Sequence, residues 1–330
     1  MEENHPKVKF GKTGVLLINL GTPDSTNWWD IRKYLKEFLS DRRVIEVNPI
    51  VWQIILNLFI LTFRPSKTAH AYKKIWIKET NESPLLYFTR SQAIKLKGKM
   101  GNEKIIIDFA MRYGNPSIKS KLDLLKEEGC ENIIILPLYP QYAAATTATV
   151  CDEVYRTLMK MRWQPSLQII PHYESEDLYI NALIKSIDKK IKSINWKPEL
   201  IISSYHGIPK KYFDQGDPYH CYCHKTTRLL KEKYSSIDIQ TTFQSRFGPQ
   251  EWLTPYTDKT LENLPNKGIK NLLVICPGFA SDCVETLEEI NIQGRESFLE
   301  SGGENFDLIP CLNDSPDHID LFEKLIKKYI

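Results

Sequence analysis

The first apolar run of the chain is Gly14-Val15-Leu16-Leu17-Ile18-Asn19-Leu20, and it is followed at once by Gly21-Thr22-Pro23. The run is continuously hydrophobic rather than alternating, which is typical of a strand buried on both faces in a parallel sheet. Glycine and proline favour turns, so we expect the strand to end there. Apolar residues then recur at helical spacing from Ile31 to Leu39, which predicts a strand–loop–helix unit.

Three landmarks of this first half recur, in the same order, in the second half of the chain. In the first half they are the turn Gly21-Thr22-Pro23, the loop Arg112-Tyr113-Gly114 after the strand candidate 105–110, and the apolar run 133–137. Their counterparts are the turn Gly207-Ile208-Pro209 after the run 200–205, the loop Arg246-Phe247-Gly248 after the run 237–243, and the run 272–277. Because three matches in register are improbable by chance, the sequence predicts an α/β fold of two similar halves, each a parallel sheet flanked by helices.

This duplication predicts where a ligand binds. In open α/β sheets, ligands bind beyond the carboxyl ends of the strands. Leu20 and His206 hold equivalent positions in the two halves, so we expect them on opposite walls of a cleft between the sheets. The first half carries an insertion, since 92 positions separate Leu20 from Arg112 whereas 40 separate His206 from Arg246.

Composition and charge narrow the class of protein. The 330 residues are 42% hydrophobic and 26% charged, as in ordinary globular chains, and the net charge is +3 without runs of one sign. That surplus does not predict nucleic acid as a partner. Seven scattered cysteines favour a reducing cytoplasm, and the polar first six residues predict no secretory signal peptide. No dinucleotide fingerprint or phosphate-binding loop follows any strand, so the sheet alone implies no nucleotide.

Residues 50–63 form an apolar segment that could be mistaken for a membrane span. The segment has 14 residues and includes Gln53, Asn57 and Thr62, whereas about 20 are needed to cross a bilayer. Three interpretations stay open: a buried helix, an apolar lip on a ligand cleft, and a patch that contacts the membrane surface.

Two groups of residues could carry chemistry. His206 sits where a strand becomes a loop, and it is either a partly buried structural histidine or a general base or metal ligand at the cleft wall. Asp282 and Glu285 have the spacing of a helix cap, which would explain both without a ligand. Alternatively, Glu285, Glu289 and Gln293 lie on one helical face and could pass a divalent cation inward.

Two further clusters are less specific. His220-Cys221-Tyr222-Cys223-His224 is dense in metal-binding residue types, but it lacks the two-residue gap common in zinc and iron–sulfur motifs. A set of polar and aromatic loop residues would suit a large flat apolar ligand with carboxylate tails, which needs an apolar slot and a few placed cations. That set comprises Arg64, Tyr72, Ser83, Arg112 and Tyr113, together with Phe63, Trp252 and Phe279.

Several motifs resemble the ferrochelatase family. They are Ser204-Tyr205-His206-Gly207-Ile208-Pro209, Gly216-Asp217-Pro218-Tyr219, Gln244-Ser245-Arg246-Phe247-Gly248-Pro249 with Trp252, and 277–287 around Asp282 and Glu285. Leu17-Ile18-Asn19-Leu20-Gly21-Thr22-Pro23, Phe38-Leu39-Ser40-Asp41 and Tyr139-Pro140-Gln141-Tyr142 also fit. The resemblance runs from about Gly14 to the last helix.

The resemblance implies a lyase that inserts Fe²⁺ into protoporphyrin IX to form protoheme, in the terminal step of heme biosynthesis. It implies two Rossmann-like halves around a porphyrin cleft, which we place at 1–172 and 173–315, with a helix at 316–330 packing back on the first half. His206 and Glu285 would be the catalytic pair, and His206, Glu285 and Glu289 the residues that handle the metal. The implied porphyrin contacts are Leu20, Arg64, Tyr72, Ser83, Arg112, Tyr113, Tyr219, Trp252, Phe279 and Asp282.

The resemblance also implies what accompanies the reaction. Fe²⁺ and protoporphyrin IX would be substrates, with no permanently bound cofactor, and no [2Fe–2S] cluster is expected because Cys311 is the sole cysteine of the C-terminal region. The protein would be cytoplasmic, with peripheral contact to the inner membrane through 50–63 left open. Gln293 stands where some members have Glu, so metal delivery either takes a shorter path or uses Glu288. A non-catalytic tetrapyrrole- or iron-binding protein, and a chelatase for another metal or for coproporphyrin, are the alternatives.

Overall fold

The computed structural model describes residues 8–330, and the prediction about a signal peptide lies outside them. Its eight strands are β1 Lys12–Thr22, β2 Ile105–Gly114, β3 Cys130–Pro137, β4 Ser166–Ile169, β5 Leu200–His206, β6 Asp238–Gln244, β7 Asn271–Ile275 and β8 Asn305–Ile309. They form two parallel four-stranded sheets, ordered β2-β1-β3-β4 and β6-β5-β7-β8. The order is the same in both sheets, so the predicted fold class of two similar α/β halves is confirmed.

Helices flank both sheets. The α-helices are α1 Trp28–Leu39, α2 Pro49–Ile55, α3 Leu61–Ile75, α4 Pro84–Met100, α5 Ile118–Glu127, α6 Thr149–Leu158, α7 Asp177–Ser193, α8 Lys210–Asp214, α9 Tyr219–Lys233, α10 Thr257–Asn263, α11 Arg295–Glu300 and α12 Pro316–Lys327. Three π-helical segments are π1 Leu56–Ile60, π2 Ala144–Ala148 and π3 Glu285–Gly294. Helices α1 to α4 lie between β1 and β2, which accounts for the predicted insertion in the first half.

One apolar core joins the two sheets. It contains Val15 and Leu17 of β1 and Ile201 of β5, together with buried residues of α7 and α12. Helix α12 packs against both α4 and α7, and Lys99 of α4 forms an ion pair with Glu323 of α12 at 2.9 Å. The predicted boundary after residue 172 falls between β4 and α7 and stays a prediction.

The segment 50–63 is not a buried helix, as one interpretation held. Helices α2, π1 and α3 run on as one helix, Pro49–Ile75, whose 27 residues and composition would suffice to cross a membrane. Only 17% of the most apolar 18-residue stretch of this helix is buried. The helix is held from one side, because Leu56 and Leu61 are buried and the Trp52 Nε1 donates a hydrogen bond to the Leu39 carbonyl. Its other side therefore exposes apolar residues, namely Ile50, Val51, Ile54, Ile55, Leu58, Phe59 and Phe63.

Gly21 closes β1 in a conformation that only glycine adopts readily. Its φ is +118°, and a Cβ at this position would lie 1.8 Å from the Tyr113 carbonyl oxygen on the neighbouring strand. The two strands pair at this point, with Gly21 opposite Tyr113. A side chain would therefore separate β1 from β2 next to Leu20.

We expect Gly21→Ala to lower the free energy of unfolding by about 2 kcal/mol or more, from a strained backbone and a clash. Gly98→Ala is the matched control, because Gly98 is an exposed residue of α4 with nothing within 4 Å of an added Cβ. This control should raise the free energy of unfolding by about 0.5–1 kcal/mol. Denaturant unfolding of both variants measures the difference, and equal effects would refute this account of the β1 turn.

Candidate functional site

A cleft of about 430 Å³ lies where loops at the carboxyl ends of the two sheets meet. This volume is within the range of small-molecule sites. The first half lines it with Leu20, Phe38, Leu39, Val44, Arg64, Lys67 and Leu138, and the second half with His206, Ile208, Tyr219, Trp252, Phe279, Val284 and Glu285. Leu20 and His206 thus line one cleft from different sheets, in agreement with their equivalent positions.

His206 is the last residue of β5, and its imidazole is held by the backbone. The Nδ1 lies 2.7 Å from the Gly207 carbonyl oxygen. A carbonyl only accepts hydrogen bonds, so Nδ1 carries a proton in this contact. When the ring is neutral, Nε2 then carries a lone pair and can accept a proton or bind a metal.

Gly207 allows the loops after β5 and β6 to pack closely. The Gly207 amide donates to the Gln244 carbonyl at 2.8 Å. A Cβ on Gly207 would lie 2.9 Å from that same oxygen and 3.2 Å from the Trp252 ring. The glycine after the histidine therefore sets how closely His206, Gln244 and Trp252 approach one another.

The second chemical group projects from π3. Glu285, Glu289 and Gln293, the residues of the predicted face, all line the cleft, and so does Glu288. Their role as metal ligands stays a prediction. The predicted capping box is wrong, because Asp282 accepts hydrogen bonds from the Cys311 amide at 3.2 Å and from the Asn313 side chain at 2.7 Å. These partners lie 29 and 31 residues away, beyond the reach of a local sequence pattern. Asp282 is buried beside the cleft and does not line it.

Glu289 is a half-buried carboxylate with dedicated hydrogen-bond donors. The Ser245 hydroxyl and the Gln244 amide, at 3.3 Å for the amide, both donate to its Oε2. Burial nonetheless raises the pKa of Glu289 above its usual range, although these donors and nearby His206 oppose the shift. Ser245 reaches this position with a φ of +67°, which is uncommon outside glycine.

Glu288 is neutralised within the structure. Lys74 of α3 forms an ion pair with its Oε1 at 2.9 Å, and the Gln293 amide donates to its two oxygens at 3.0 and 2.8 Å. The carboxylate side chain is 5% exposed and that of Lys74 is 34% exposed. This contact ties α3 to π3 and occupies both Glu288 oxygens.

Cations line the mouth of the cleft. Arg64 lies 5.3 Å from the centre of the Phe247 ring, across the gap between the two halves. Burial lowers the pKa of Arg64 from its ordinary value. Lys67 and Arg246 also line the cleft, and Arg246 pairs with Asp258 at 2.9 Å. The predicted combination of apolar walls and a few cations is present.

Tyr72 and Ser83 lie behind the cleft rather than in it. They line a cavity of about 10 Å³, enough for one water molecule, that shares Leu20 and Glu285 with the main cleft. Burial, followed by the charge of Glu285, raises the pKa of Tyr72. The Ser83 hydroxyl caps α4 by accepting a hydrogen bond from the Leu86 amide at 3.2 Å.

Arg112, Tyr113 and Phe63 are not among the residues that line the cleft. The Arg112 guanidinium pairs with Asp41 at 2.5 Å, and the Tyr113 hydroxyl donates to the same carboxylate at 2.9 Å. Burial opposes ionisation of Asp41, but these contacts and a hydrogen bond from Thr149 lower its pKa overall. These residues around Asp41 instead support Phe38 and Leu39, the wall residues that precede it. Phe63 is 73% exposed on the outer side of α3.

Eight predicted site residues therefore line one cleft: Leu20, Arg64, His206, Tyr219, Trp252, Phe279, Glu285 and Glu289. Four residues that line the cleft or bind its glutamates were not predicted: Lys67, Lys74, Gln244 and Ser245. For Gln244 and Ser245 a signal existed, since Gln244 ends β6 and Ser245 follows it directly, within one of the motifs that resemble the family. Within residues 8–330, no three His, Cys, Asp or Glu side chains are already arranged to hold a metal ion.

Comparisons with known proteins point to one family. The family model for ferrochelatase matches residues 12–330. The ferrochelatase of Allorhizobium ampelinum is 53% identical over 331 residues, covering 99% of this chain and 96% of that protein. The ferrochelatase of Francisella tularensis subsp. novicida is 51% identical over 326 residues, covering 98% and 97%.

Solved structures share the fold at low sequence identity. SirB from Bacillus subtilis, determined with Fe³⁺, aligns with a TM-score of 0.59 and 11% identity over 96% of this chain and 95% of its own. CbiX, described as the terminal enzyme for biosynthesis of siroheme in denitrifying bacteria, aligns with a TM-score of 0.53 and 12% identity over 96% and 99%. At these identities the likeness supports the two-sheet fold alone.

Glu288 and Glu289 of π3 should respond oppositely to neutralisation. Because the pKa of Glu289 is raised in the folded state, its stabilising contribution is full below the unfolded-state pKa and is lost as pH rises through the folded-state value. Glu289→Gln should therefore be more stable than wild type at neutral pH, with the gain vanishing near pH 4. Glu288→Gln should lose about 1–3 kcal/mol at neutral pH, because Lys74 loses its partner.

Thermal unfolding of the wild type, Glu289→Gln and Glu288→Gln between pH 4 and 8 measures both effects. A neutral-pH loss of stability in Glu289→Gln would contradict a burial-raised pKa at Glu289. An unchanged midpoint in Glu288→Gln would contradict the view that the Lys74 ion pair ties α3 to π3.

Proposed function

This chain belongs to the ferrochelatase family, and from that premise we propose that His206 and Glu285 carry its reaction from opposite sides of a bound porphyrin. The reaction inserts Fe²⁺ into protoporphyrin IX, forms protoheme and releases two protons, as a step of heme biosynthesis. The observation that carries the proposal is that His206, from β5, and Glu285 and Glu289, from π3, line a single cleft.

The porphyrin occupies the cleft between the two sheets. Its flat apolar ring matches walls made of residues such as Leu20, Ile208, Trp252 and Phe279. Arg64 and Lys67 at the mouth, with Arg246, supply positive charge for the two propionates. Walls that grip the ring can also bend it, which points a pyrrole nitrogen lone pair towards the metal.

His206 accepts protons from the pyrrole nitrogens. Its Nδ1 is held against the Gly207 carbonyl, so Nε2 is the atom available as a general base. Each N–H bond that breaks leaves its electron pair on nitrogen, and the two nitrogens bind Fe²⁺ as anions. The iron stays ferrous, and both protons leave through His206 to solvent.

Glu285 and Glu289 deliver the iron on the other side. Two neighbouring carboxylates, both half-buried at the cleft, can replace water around Fe²⁺. His206 with these carboxylates is a donor set that suits a borderline metal. A shorter delivery path through Glu285 and Glu289 is favoured over one that uses Glu288. Lys74 and Gln293 already occupy the Glu288 oxygens. Iron is a substrate in this proposal, and no resident cofactor or [2Fe–2S] cluster takes part.

We place the protein in the cytoplasm, with the exposed side of Pro49–Ile75 against the inner membrane surface. Seven large apolar side chains are exposed along this helix, far more than scattered surface residues account for. Arg64 and Lys67 of the same helix line the cleft. A substrate as apolar as protoporphyrin would then enter from the lipid surface next to the mouth.

Purified protein should form heme from Fe²⁺ and protoporphyrin without oxygen or ATP. We expect His206→Ala and Glu285→Ala each to lower kcat by about 100-fold or more, because each removes a group that acts on the reacting atoms. His70→Ala and Glu300→Ala, which change exposed residues outside the cleft, are the controls and should keep wild-type rates. Heme absorption measures the rate, and circular dichroism checks the fold.

Unchanged porphyrin absorption with wild-type protein would overturn the function. Normal heme formation with near-wild-type rates in His206→Ala or Glu285→Ala would overturn the assigned roles instead. These two failures are distinguishable in the same assay.

Membrane contact should depend on the exposed side of the helix. We expect wild-type protein to float with vesicles of mixed zwitterionic and anionic phospholipid, and Ile54→Asn/Leu58→Asn/Phe63→Asn to remain in the dense fraction. The matched control removes three exposed apolar residues elsewhere, as Leu124→Asn/Met159→Asn/Leu299→Asn, and should float. Equal flotation of the two triple variants would contradict the proposed contact.

A further inference from the structure

The motif His220-Cys221-Tyr222-Cys223-His224 is not used by the proposed reaction. It forms the start of α9, with His220 and His224 four residues apart on one helical face. Their ring centroids are 4.4 Å apart, with the planes tilted by 51°. Two histidines at this spacing on a helix can bind one metal ion together, as in helical zinc motifs.

Both imidazoles are free to act as ligands. Among residues 8–330, neither ring makes a hydrogen bond to another residue, unlike His172, His206 and His318, which each have a backbone or carboxylate partner. Burial lowers the pKa of His220, and burial together with its histidine neighbour lowers that of His224. Neutral rings at physiological pH are the form that binds metal.

The surroundings hold the pair in place while leaving it accessible. His220 stacks on Phe243 at 5.7 Å and contacts Phe213 at 5.0 Å, so its ring has a fixed apolar support. His224 is exposed to solvent and provides the entry side. The pair lies on α9 and is separate from the cleft, where neither histidine is a lining residue.

We propose that His220 and His224 form a second metal site, which binds one borderline divalent cation such as Zn²⁺, Ni²⁺ or Cu²⁺ with water completing the coordination. Imidazole nitrogens prefer these ions to Mg²⁺ or Ca²⁺, which take oxygen ligands. A bound ion would link the first two turns of α9, and Tyr219, the first residue of that helix, lines the porphyrin cleft. Occupancy would therefore stabilise one wall of the cleft without entering it.

Replacing each histidine with phenylalanine separates metal binding from aromatic packing. His220→Phe and His224→Phe keep a ring against Phe213 and Phe243 but remove the nitrogen ligands. Both are made in a His206→Ala/Glu285→Ala background, without an affinity tag, so that the catalytic cleft contributes little metal binding. Cys221→Ser is the further control, because Cys221 is the exposed thiol nearest to the pair.

Calorimetric titration with Ni²⁺ should give one ion per chain in the parent protein and in Cys221→Ser. We expect affinity to fall by about tenfold or more in each phenylalanine variant, because the second ligand no longer acts within the same molecule. Ni²⁺ should also raise the melting temperature of the parent but not of His224→Phe.

Unchanged Ni²⁺ affinity in both phenylalanine variants would overturn the proposal, and the pair would then serve aromatic packing alone. Loss of binding in Cys221→Ser, with binding retained in the phenylalanine variants, would also overturn it in favour of a thiol site. Both outcomes are independent of whether the protein makes heme.

Discussion

The apolar core shared by the two sheets is the interaction on which the cleft depends. In a parallel sheet all strands present their carboxyl ends along one edge, so each half alone offers a row of loops facing solvent. Val15 and Leu17 of β1 belong to the same core as Ile201 of β5, and helices α7 and α12 complete it. Since this core holds the two edges against each other, the loop after β1 and the histidine that ends β5 face one cavity rather than two surfaces.

The cleft shows how a protein of nearly neutral charge can handle a metal and a dianionic ring. Most of its wall is apolar, and each of the few charged side chains in it has surroundings that change or balance its charge. Glu289 is protonated more readily because it is buried, Glu288 is neutralised by Lys74, and Arg64 lies against the Phe247 ring. Buried charges of this kind destabilise the fold unless they are paired, so a site with few of them is the less costly solution.

Much of the fold and about half of the site could be predicted from sequence, because the duplicated landmarks indicate which strands end at the cleft. His206, Leu20 and Glu285 were placed in this way. Arg112 does not line the cleft because it binds Asp41, 71 residues away, and no local pattern shows that the carboxylate binds the guanidinium. Asp282 likewise binds partners 29 and 31 residues away, so no local pattern shows that it lies beside the cleft rather than in its lining.

Two further features depend on geometry that residue types do not encode. Ser245 binds Glu289 through a left-handed backbone conformation, which is rare for serine and carries no sequence signal. The apolar segment 50–63 was compatible with burial until its place in the fold was known. Only one side of the helix meets the rest of the chain, and apolar composition alone does not tell which side is left uncovered.

The most direct test of the account is a structure of the protein with protoporphyrin bound. We expect the ring to lie in the cleft between Leu20 and Trp252, with His206 Nε2 against one face and the Glu285 carboxylate against the other. A ring bound outside this cleft, or His206 and Glu285 on the same face of it, would contradict the proposed division of roles.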